Sequence, residues 1–229
     1  GQGNTAALQV WLASNGGASA SDACSNITWS NNFSEFSNGC GNSGSASVTF
    51  TATDDCGNTT TSTATFTIQD TTAPTITIAA ANATVECDGQ GNTAALQAWL
   101  SSNGGASASD TCSNVTWTNN FDALSDGCGS TGSASVTFTA TDDCGNTASS
   151  TATFTIEDSS APTIDIVATN ATVECDGNGN AEALAAWLAS NGGASASDTC
   201  SNVTWTNNFE ELNDSCGNTG SASVTFTAT

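Results

Sequence analysis

Hydrophobic and polar residues alternate in several short segments of this chain. Apolar side chains recur at every second position in Thr75–Ile78, Ala83–Cys87, Asn114–Thr118, Ser133–Thr141 and Thr151–Ile156. A period of two is typical of strands that bury one face. The other positions are mostly threonine and serine, and the connections are rich in turn residues. The pattern therefore predicts an all-β fold, an antiparallel β-sandwich.

The alternation stops where apolar residues take a helical spacing. Leu96, Trp99 and Leu100 lie three and four positions apart, and an Asn-Gly-Gly sequence follows them. That spacing is typical of an amphipathic helix, and a glycine after it is a common helix end. Short helices are expected near Asn4–Asn15, Asn92–Asn103 and Asn180–Asn191.

The pattern repeats with a fixed period of 88 residues. Trp11, Trp99 and Trp187 are equally spaced, and the cysteines follow the same period. Residues 89–141 and 177–229 are identical at 43 of 53 positions. A period of this length is the size of a domain, whereas solenoid repeats are shorter and must stack to form a core. The sequence therefore predicts tandem β-sandwich repeats, each with one short inserted α-helix.

Pro74 and Pro162 are the only prolines, and each lies between two strand patterns. Proline stiffens a short connection and stops further strand pairing. We therefore expect residues 1–70 to be the C-terminal part of one repeat, 71–158 a complete repeat and 159–229 the N-terminal part of the next. There is no initiator methionine, signal peptide or membrane-length apolar run, so export is expected to be encoded outside this segment.

The charge is entirely negative. The 229 residues contain no Lys, Arg or His, and 22 Asp and Glu residues give a net charge of -22. Such a chain repels nucleic acids and anionic membranes, so neither is an expected partner. The ten cysteines include no CxxC pair, which favours disulfides and an oxidising, extracellular compartment over metal-binding thiols.

Catalytic chemistry has few candidates. Without His, Lys, Arg or Tyr, acid–base catalysis would depend on carboxylates alone. Asp142 and Asp143 are the obvious pair, but neighbouring residues at a strand end usually point apart. The sequence therefore favours a protein that is not an enzyme and has no organic cofactor.

Acidic turns suggest a second kind of site. Asp-x-Cys sequences and Asp-Asp-Cys-Gly-Asn sequences recur in the repeats. Carboxylate and amide oxygens are ligands for Ca²⁺, although Asp and Asn also shape turns without any metal. Both interpretations stay open. The candidate calcium ligands are Asp70, Asp110, Asp142, Asp143, Asn146, Asp158 and Asp198.

The repeated tryptophans also allow two interpretations. Trp99 lies on the apolar face of the predicted helix, and Trp117 shares a strand face with Val115. A core position is the simpler interpretation. The alternative is a carbohydrate- or ice-binding module that uses repetition for avidity. Exposure of Trp117 and of the alternate threonines distinguishes the two.

The sequences Val136–Asn146, Ala152–Ile164 and Ala83–Cys87 together resemble the hyalin-repeat (HYR-like) immunoglobulin-type modules. Such modules occur in giant surface adhesins of Bacteroidetes, including gliding adhesins. The resemblance covers every repeat. It implies an immunoglobulin-like sandwich, an extracellular location and a role in adhesion or scaffolding.

Strand directions in a seven-strand sandwich predict one of the three ways of pairing four cysteines. The strands that end at Cys112 and Cys144 finish at one pole, whereas Cys87 and Cys128 lie at the other. Each pair is therefore expected to form a disulfide within one repeat. By repetition the expected bonds are Cys24–Cys56, Cys87–Cys128, Cys112–Cys144 and Cys175–Cys216, which leave Cys40 and Cys200 without partners in this segment.

Together these features predict the repetitive, non-enzymatic stalk of an extracellular adhesin or surface filament. Its expected partners are neighbouring repeats of the same chain and further copies of the protein in a fibre. Strand directions also place Asp70 opposite Asp110, Asp142, Asp143 and Asn146 where two repeats meet. With no basic residue to neutralise them, these groups are expected to bind Ca²⁺.

Overall fold

A computed structural model describes residues 3–214 and 219–229 of the chain. The described residues form three α-helices and sixteen strands. Each helix is followed by a single 3₁₀ turn at an Asn-Gly-Gly sequence. The helices are α1 (Gly3–Ala13), α2 (Thr93–Ser101) and α3 (Ala181–Ala189). The strands are β1 (Ile27–Asn31), β2 (Ser37–Asn38), β3 (Gly44–Asp54), β4 (Thr59–Ile68), β5 (Thr75–Ile78), β6 (Ala83–Glu86), β7 (Ser107–Ser109), β8 (Val115–Asn119), β9 (Gly132–Asp142), β10 (Thr147–Glu157), β11 (Thr163–Ile166), β12 (Ser195–Ser197), β13 (Trp205–Asn207), β14 (Asn213–Asp214), β15 (Gly220–Ser221) and β16 (Phe226–Ala228).

The predicted strands and helices are present with shifts of a few residues at their ends. The middle repeat has a four-stranded sheet in the order β6-β10-β9-β8 and a second, two-stranded sheet of β5 and β7. The first repeat has the corresponding β1, β3 and β4 together with β2. Strand β7 was not predicted from the sequence, because Ser107–Ser109 is short and lacks large apolar residues.

One strand pair departs from the predicted antiparallel arrangement. β6 runs parallel to β10, with Ala83 opposite Phe154 and Glu86 opposite Glu157. Most of the repeat connects these two strands, and a connection of that length permits a parallel pair where a hairpin would not. The other strand pairs with a described register are antiparallel.

The period-two pattern places alternate side chains in the core. Val136, Phe138 and Ala140 on β9 are fully buried, and the threonines between them are partly exposed. Phe154 and Ile156 on β10 are buried in the same way. Burial of side chains of this size contributes about 1.5–3 kcal/mol each. The alternation seen in the sequence therefore identifies the core strands.

The described residues form two compact units. The first contains residues 3–81, 99–121 and 136–152, and the second contains 82–98, 122–135, 153–214 and 219–229. Each compact unit contains one of the two proline connections between predicted repeats. None of the described helices has the length and hydropathy needed to cross a bilayer.

Candidate functional site

The candidate site is the contact between adjacent predicted repeats, which occurs once in each compact unit. The first junction consists of the loop Cys40–Ser43, Asp70, the turn Asp110–Ser113 and Cys144. The second junction consists of Cys87, the loop Cys128–Thr131, Asp158 and the turn Asp198–Ser201. The loop, the aspartate between repeats and the turn of the second junction lie 88 positions after those of the first.

The same backbone hydrogen bond forms at both junctions. The N–H of Asn42 donates to the carbonyl oxygen of Cys112 over 2.8 Å, and the N–H of Ser130 donates to that of Cys200 over 2.9 Å. Asn42 and Ser130 are repeat counterparts, so a change of side chain leaves this bond intact. The repeats therefore meet in one defined arrangement that the structure shows twice.

A glycine in each loop makes this approach possible. Gly41 and Gly129 have φ of 54° and 62°, in the left-handed region that favours glycine. A Cβ at Gly41 would lie 2.7 Å from the carbonyl oxygen of Cys112. A Cβ at Gly129 would collide with the carbonyl oxygen of Cys200. Any other residue would therefore be strained and would also push the neighbouring turn away.

Among the described residues, two disulfides join residues of adjacent predicted repeats. Cys40 is bonded to Cys144, with Cα atoms 5.0 Å apart and 104 positions between them in sequence. Cys87 is bonded to Cys200, with Cα atoms 6.0 Å apart and 113 positions between them. Both Cα separations lie within the normal range for a disulfide. The first bond belongs to the first junction and the second bond to the second junction.

The predicted pairs Cys87–Cys128 and Cys112–Cys144 are therefore wrong, and Cys40 and Cys200 do have partners. Cys24 and Cys56, also predicted to pair, have no disulfide partner in the described part of the chain. Cys216 lies outside the described residues, so the predicted Cys175–Cys216 bond is not described.

The physical reason for the error is that strand directions locate a pole but cannot show what packs against it. Cys87 does lie beside the loop that carries Cys128, since its sulfur is 3.8 Å from the carbonyl oxygen of Ser130. The turn of the following repeat meets the same pole. Cys200 on that turn is the residue bonded to Cys87.

Asp110 and Asp198 shape the turns that enter the junctions. One carboxylate oxygen of Asp198 accepts hydrogen bonds from the N–H groups of Cys200 and Ser201, at 2.8 and 2.9 Å. Asp110 accepts the equivalent bonds from Cys112 and Ser113. The bond from Cys200, followed by that from Ser201, lowers the pKa of Asp198. These aspartates therefore have a structural role whether or not they also bind metal.

A pair of carboxylates and a sulfur converge at each junction. Potential ligand atoms of Asp70, Asp110 and Cys112 lie within 4.8 Å of one another, as do those of Asp158, Asp198 and Cys200. The Ser113 hydroxyl donates to a carboxylate oxygen of Asp70 over 3.1 Å. Because Cys200 is part of a disulfide, its sulfur is not a thiolate ligand. Any shared metal chemistry of the two junctions therefore depends on oxygen atoms.

The structure does not bring Asp142 or Asp143 into either cluster of the described residues. Asp142 is buried, and burial alone would raise its pKa. Hydrogen bonds from the side chain and N–H of Asn146, then from Cys144 and Gly145, outweigh that effect and lower the pKa. The Asp143 carboxylate accepts hydrogen bonds from the backbone N–H and the side-chain amide of Asn114. The Asn146 amide also donates to the carbonyl oxygen of Asp70 over 3.3 Å, which ties this loop to the junction.

Glu86 is a junction residue that the sequence analysis missed. Its carboxylate accepts hydrogen bonds from the N–H and hydroxyl of Ser159 and from the hydroxyl of Ser160. The Ser159 hydroxyl is the main cause of a lowered pKa for Glu86. These bonds hold the segment that leads to Pro162. No sequence signal identifies this role, because the serines lie more than 70 positions away.

Trp99 is a core residue, and Trp11 and Trp187 are partly buried. Trp99 is buried, its indole N–H donates to the carbonyl oxygen of Ala81 over 3.0 Å, and its ring packs edge-on against Phe138. Trp11 and Trp187 make the equivalent contacts with Phe50 and Phe226. Trp117 is half-buried, whereas Thr116 and Thr118 are exposed.

A family match agrees with the immunoglobulin-like architecture. Residues 28–94 match the family described as "Bacterial Ig-like domain (group 3)". A search of solved structures finds a chain from "Crystal structure of Drosophila N-cadherin EC1-4" at 14% identity and a TM-score of 0.25. That alignment covers 59% of this chain and 42% of the cadherin chain, so this protein spans less than half of the cadherin's length. No curated protein matches the sequence. The chain is an all-β protein with an immunoglobulin-like sandwich.

Proposed function

We propose that the chain is a load-bearing, non-enzymatic stalk segment of an extracellular bacterial adhesin or surface filament. The observation that carries the proposal is the pair of disulfides that join adjacent repeats. A catalytic domain has no need of covalent bonds to its neighbour, whereas a stalk under tension does. Disulfides also favour an oxidising compartment. The resemblance to hyalin-repeat modules of Bacteroidetes adhesins favours a fibre at the cell surface.

The disulfides limit how far the chain extends under force. When the protein is pulled from its ends, the Cys87–Cys200 bond provides a path that bypasses 113 residues. At about 3.4 Å per extended residue, that bond withholds roughly 380 Å of contour length. The residues that the bond bypasses therefore bear no load while the bond is intact.

Single-molecule pulling of the whole chain tests this role. In oxidising buffer the total extension should be shorter than in a reducing buffer by at least about 380 Å. Equal extension under both conditions would contradict the mechanical role. Antibodies against the chain should also label intact cells that produce the protein, and labelling only after permeabilisation would contradict the extracellular location.

We also propose that Ca²⁺ binds between adjacent repeats. The support is the convergence of Asp70 with Asp110 and of Asp158 with Asp198, in a chain without a single basic residue. The backbone carbonyl of Asp70, which accepts a hydrogen bond from the Asn146 side-chain amide, supplies a further nearby oxygen. Ca²⁺ usually takes 6–8 oxygen ligands, so water would complete the set. Bound Ca²⁺ would offset the carboxylate repulsion and stiffen the connection.

A carbohydrate- or surface-binding module is the second candidate. The observation that favours it is a threonine-rich outer face, on which Thr137 bonds Thr151 and the counterpart Thr49 bonds Thr63, at 3.0 and 3.1 Å. The burial of Trp99 removes the strongest candidate for sugar stacking. Binding to a glycan array or to ice by the wild type, lost in Thr116→Val/Thr118→Val, would favour this function over the stalk.

A further inference from the structure

Each junction contains one disulfide and a third cysteine beside it. At the first junction Cys40 is bonded to Cys144, and Cys112 forms no disulfide. At the second junction Cys87 is bonded to Cys200, and Cys128 forms no disulfide. Cys128 is the repeat counterpart of Cys40, and Cys112 is that of Cys200. The cysteine without a disulfide at each junction is therefore the repeat counterpart of a cysteine that is bonded at the other junction.

The two junctions share the same geometry around these cysteines. The hydrogen bonds from Asn42 to Cys112 and from Ser130 to Cys200 have nearly equal lengths. The glycines Gly41 and Gly129 have the same left-handed conformation against those two cysteines. The Cys112 turn therefore has the same position at the first junction as the Cys200 turn has at the second. The Cys128 loop of the second junction likewise corresponds in position to the Cys40 loop of the first.

We propose that a complete junction between two repeats carries both disulfides side by side. One bond joins the counterpart of Cys128 in one repeat to the counterpart of Cys144 in the next. The other joins the counterpart of Cys87 in the first of these repeats to the counterpart of Cys112 in the second. In this arrangement Cys112 and Cys128 are half-cystines that bond further copies of the repeat. The array is then a covalent ladder, in which each repeat is linked to its neighbour by the peptide chain and two disulfides.

This inference rests on the stalk arrangement but adds a specific chemistry to it. Each bond forms when two thiols lose two protons and two electrons. The oxidant is a second disulfide, such as oxidised glutathione, which leaves as two thiols. The partner of the second bond at each junction is thus identified as a cysteine of another copy of the repeat. The sulfur of Cys112, like that of its counterpart Cys200, is then a half-cystine and not a metal ligand.

Cutting the peptide link tests whether the bonds cross between repeats. A site for a specific protease is inserted between Thr72 and Ala73 in one variant and between Ser160 and Ala161 in another. After cleavage, both proteins should remain one species on a denaturing gel without reductant and separate into two fragments with reductant. Cys40→Ser should release the fragments of the first variant only, and Cys87→Ser those of the second only. Release of the unsubstituted proteins without reductant would overturn the proposal, because it indicates pairing within repeats.

A longer chain tests whether one junction holds two bonds. A second copy of residues 71–158, inserted after Asp158, creates a junction that contains all four cysteines. With a cleavable site between the copies, loss of either bond by a Cys→Ser substitution should leave the halves joined, and loss of both should release them in full. Release by one substitution alone would show a single bond and overturn the ladder. These gels report pairing only, so their outcome is independent of the antibody test for an extracellular location.

Discussion

The first and second junctions share a backbone contact but not a disulfide. In both, a loop with a left-handed glycine donates a hydrogen bond to a cysteine carbonyl on an Asp-x-Cys turn. The first junction is closed by Cys40–Cys144 and the second by Cys87–Cys200. Since the backbone contact is the same with either bond, it does not depend on which disulfide is present. Packing of the loop against the turn defines the junction, and the disulfides then secure it.

The two junctions also show the structural role of the acidic residues in the turns. Asp110 and Asp198 accept the same pair of backbone hydrogen bonds, although Cys112 has no disulfide and Cys200 has one. The Asp-x-Cys turn is therefore formed independently of the oxidation state of its cysteine. A preformed turn presents the sulfur at the right place before the bond is made.

The largest expected effect comes from removing a junction disulfide. The double variant Cys87→Ser/Cys200→Ser should lower the free energy of unfolding by about 4–5 kcal/mol, because the bond closes a loop of roughly a hundred residues. Denaturant titration measures the loss. Cys24→Ser is the matched control, since Cys24 is the counterpart of Cys200 but is exposed and forms no disulfide. An equal loss for the control would show that the bond is not what stabilises the second junction.

The glycine of the loop should have the next largest effect. Gly129→Ala should cost about 2–3 kcal/mol, because it adds a collision with the carbonyl of Cys200 to an unfavourable left-handed φ. Gly57→Ala should cost only about 1 kcal/mol, since Gly57 has φ of 86° but no atom within 4 Å of the added Cβ. Thermal or denaturant unfolding compares them. If the two substitutions lowered the free energy of unfolding equally, the close approach at the junction would contribute nothing to the cost of Gly129→Ala.

Calcium should have a smaller effect that tests whether the junctions bind the ion alike. At ten times its dissociation constant, Ca²⁺ should raise the free energy of unfolding by about 1.4 kcal/mol per site. Asp70→Asn should reduce the gain at the first junction and Asp158→Asn that at the second. Asp122→Asn, at an exposed position away from both clusters, is the control. A melting temperature unchanged between Ca²⁺ and excess chelator would leave the acidic residues as turn formers only.

Acid should produce the smallest effect, and the second junction supplies one part of it. Glu86 and Asp198 have lowered pKa values, so the folded state binds their protons less readily than the unfolded state. Their stabilisation is present above the ordinary pKa values of 4.5 and 3.8 and is lost as the pH falls through the lowered values. The melting temperature should therefore stay level from about pH 8 to 5 and then fall. Glu86→Gln should reduce that fall, and a fall as large as that of the wild type would exclude the serine contacts as a cause.

Much of the fold could be predicted because its signals are local. The period-two runs around Val136 and Phe138 identify buried strands, and the spacing of Leu96 and Trp99 identifies the helix. Neither signal depends on where other parts of the chain lie. The parallel pairing of β6 with β10 and the short strand β7 were not predicted, because partner choice across a sheet is decided by the rest of the domain.

The candidate site was predicted in part. Asp70 was expected opposite Asp110, and these two residues do converge. Asp142 and Asp143 were expected in the same cluster, but each carboxylate accepts hydrogen bonds from nearby groups instead. Glu86 had no sequence signal, because its serine partners belong to the connection after the repeat.

The sequence by itself determined the 88-residue period, the strands, the helix and the presence of cysteines at both poles of the sandwich. Only the tertiary structure decided which cysteines are bonded. Chain direction places Cys87 and Cys128 at one pole, but it contains no information on the turn that a following repeat brings there. A disulfide requires two Cα atoms within a few ångströms. For Cys40 and Cys87 that distance is set by packing between repeats, more than a hundred residues along the chain.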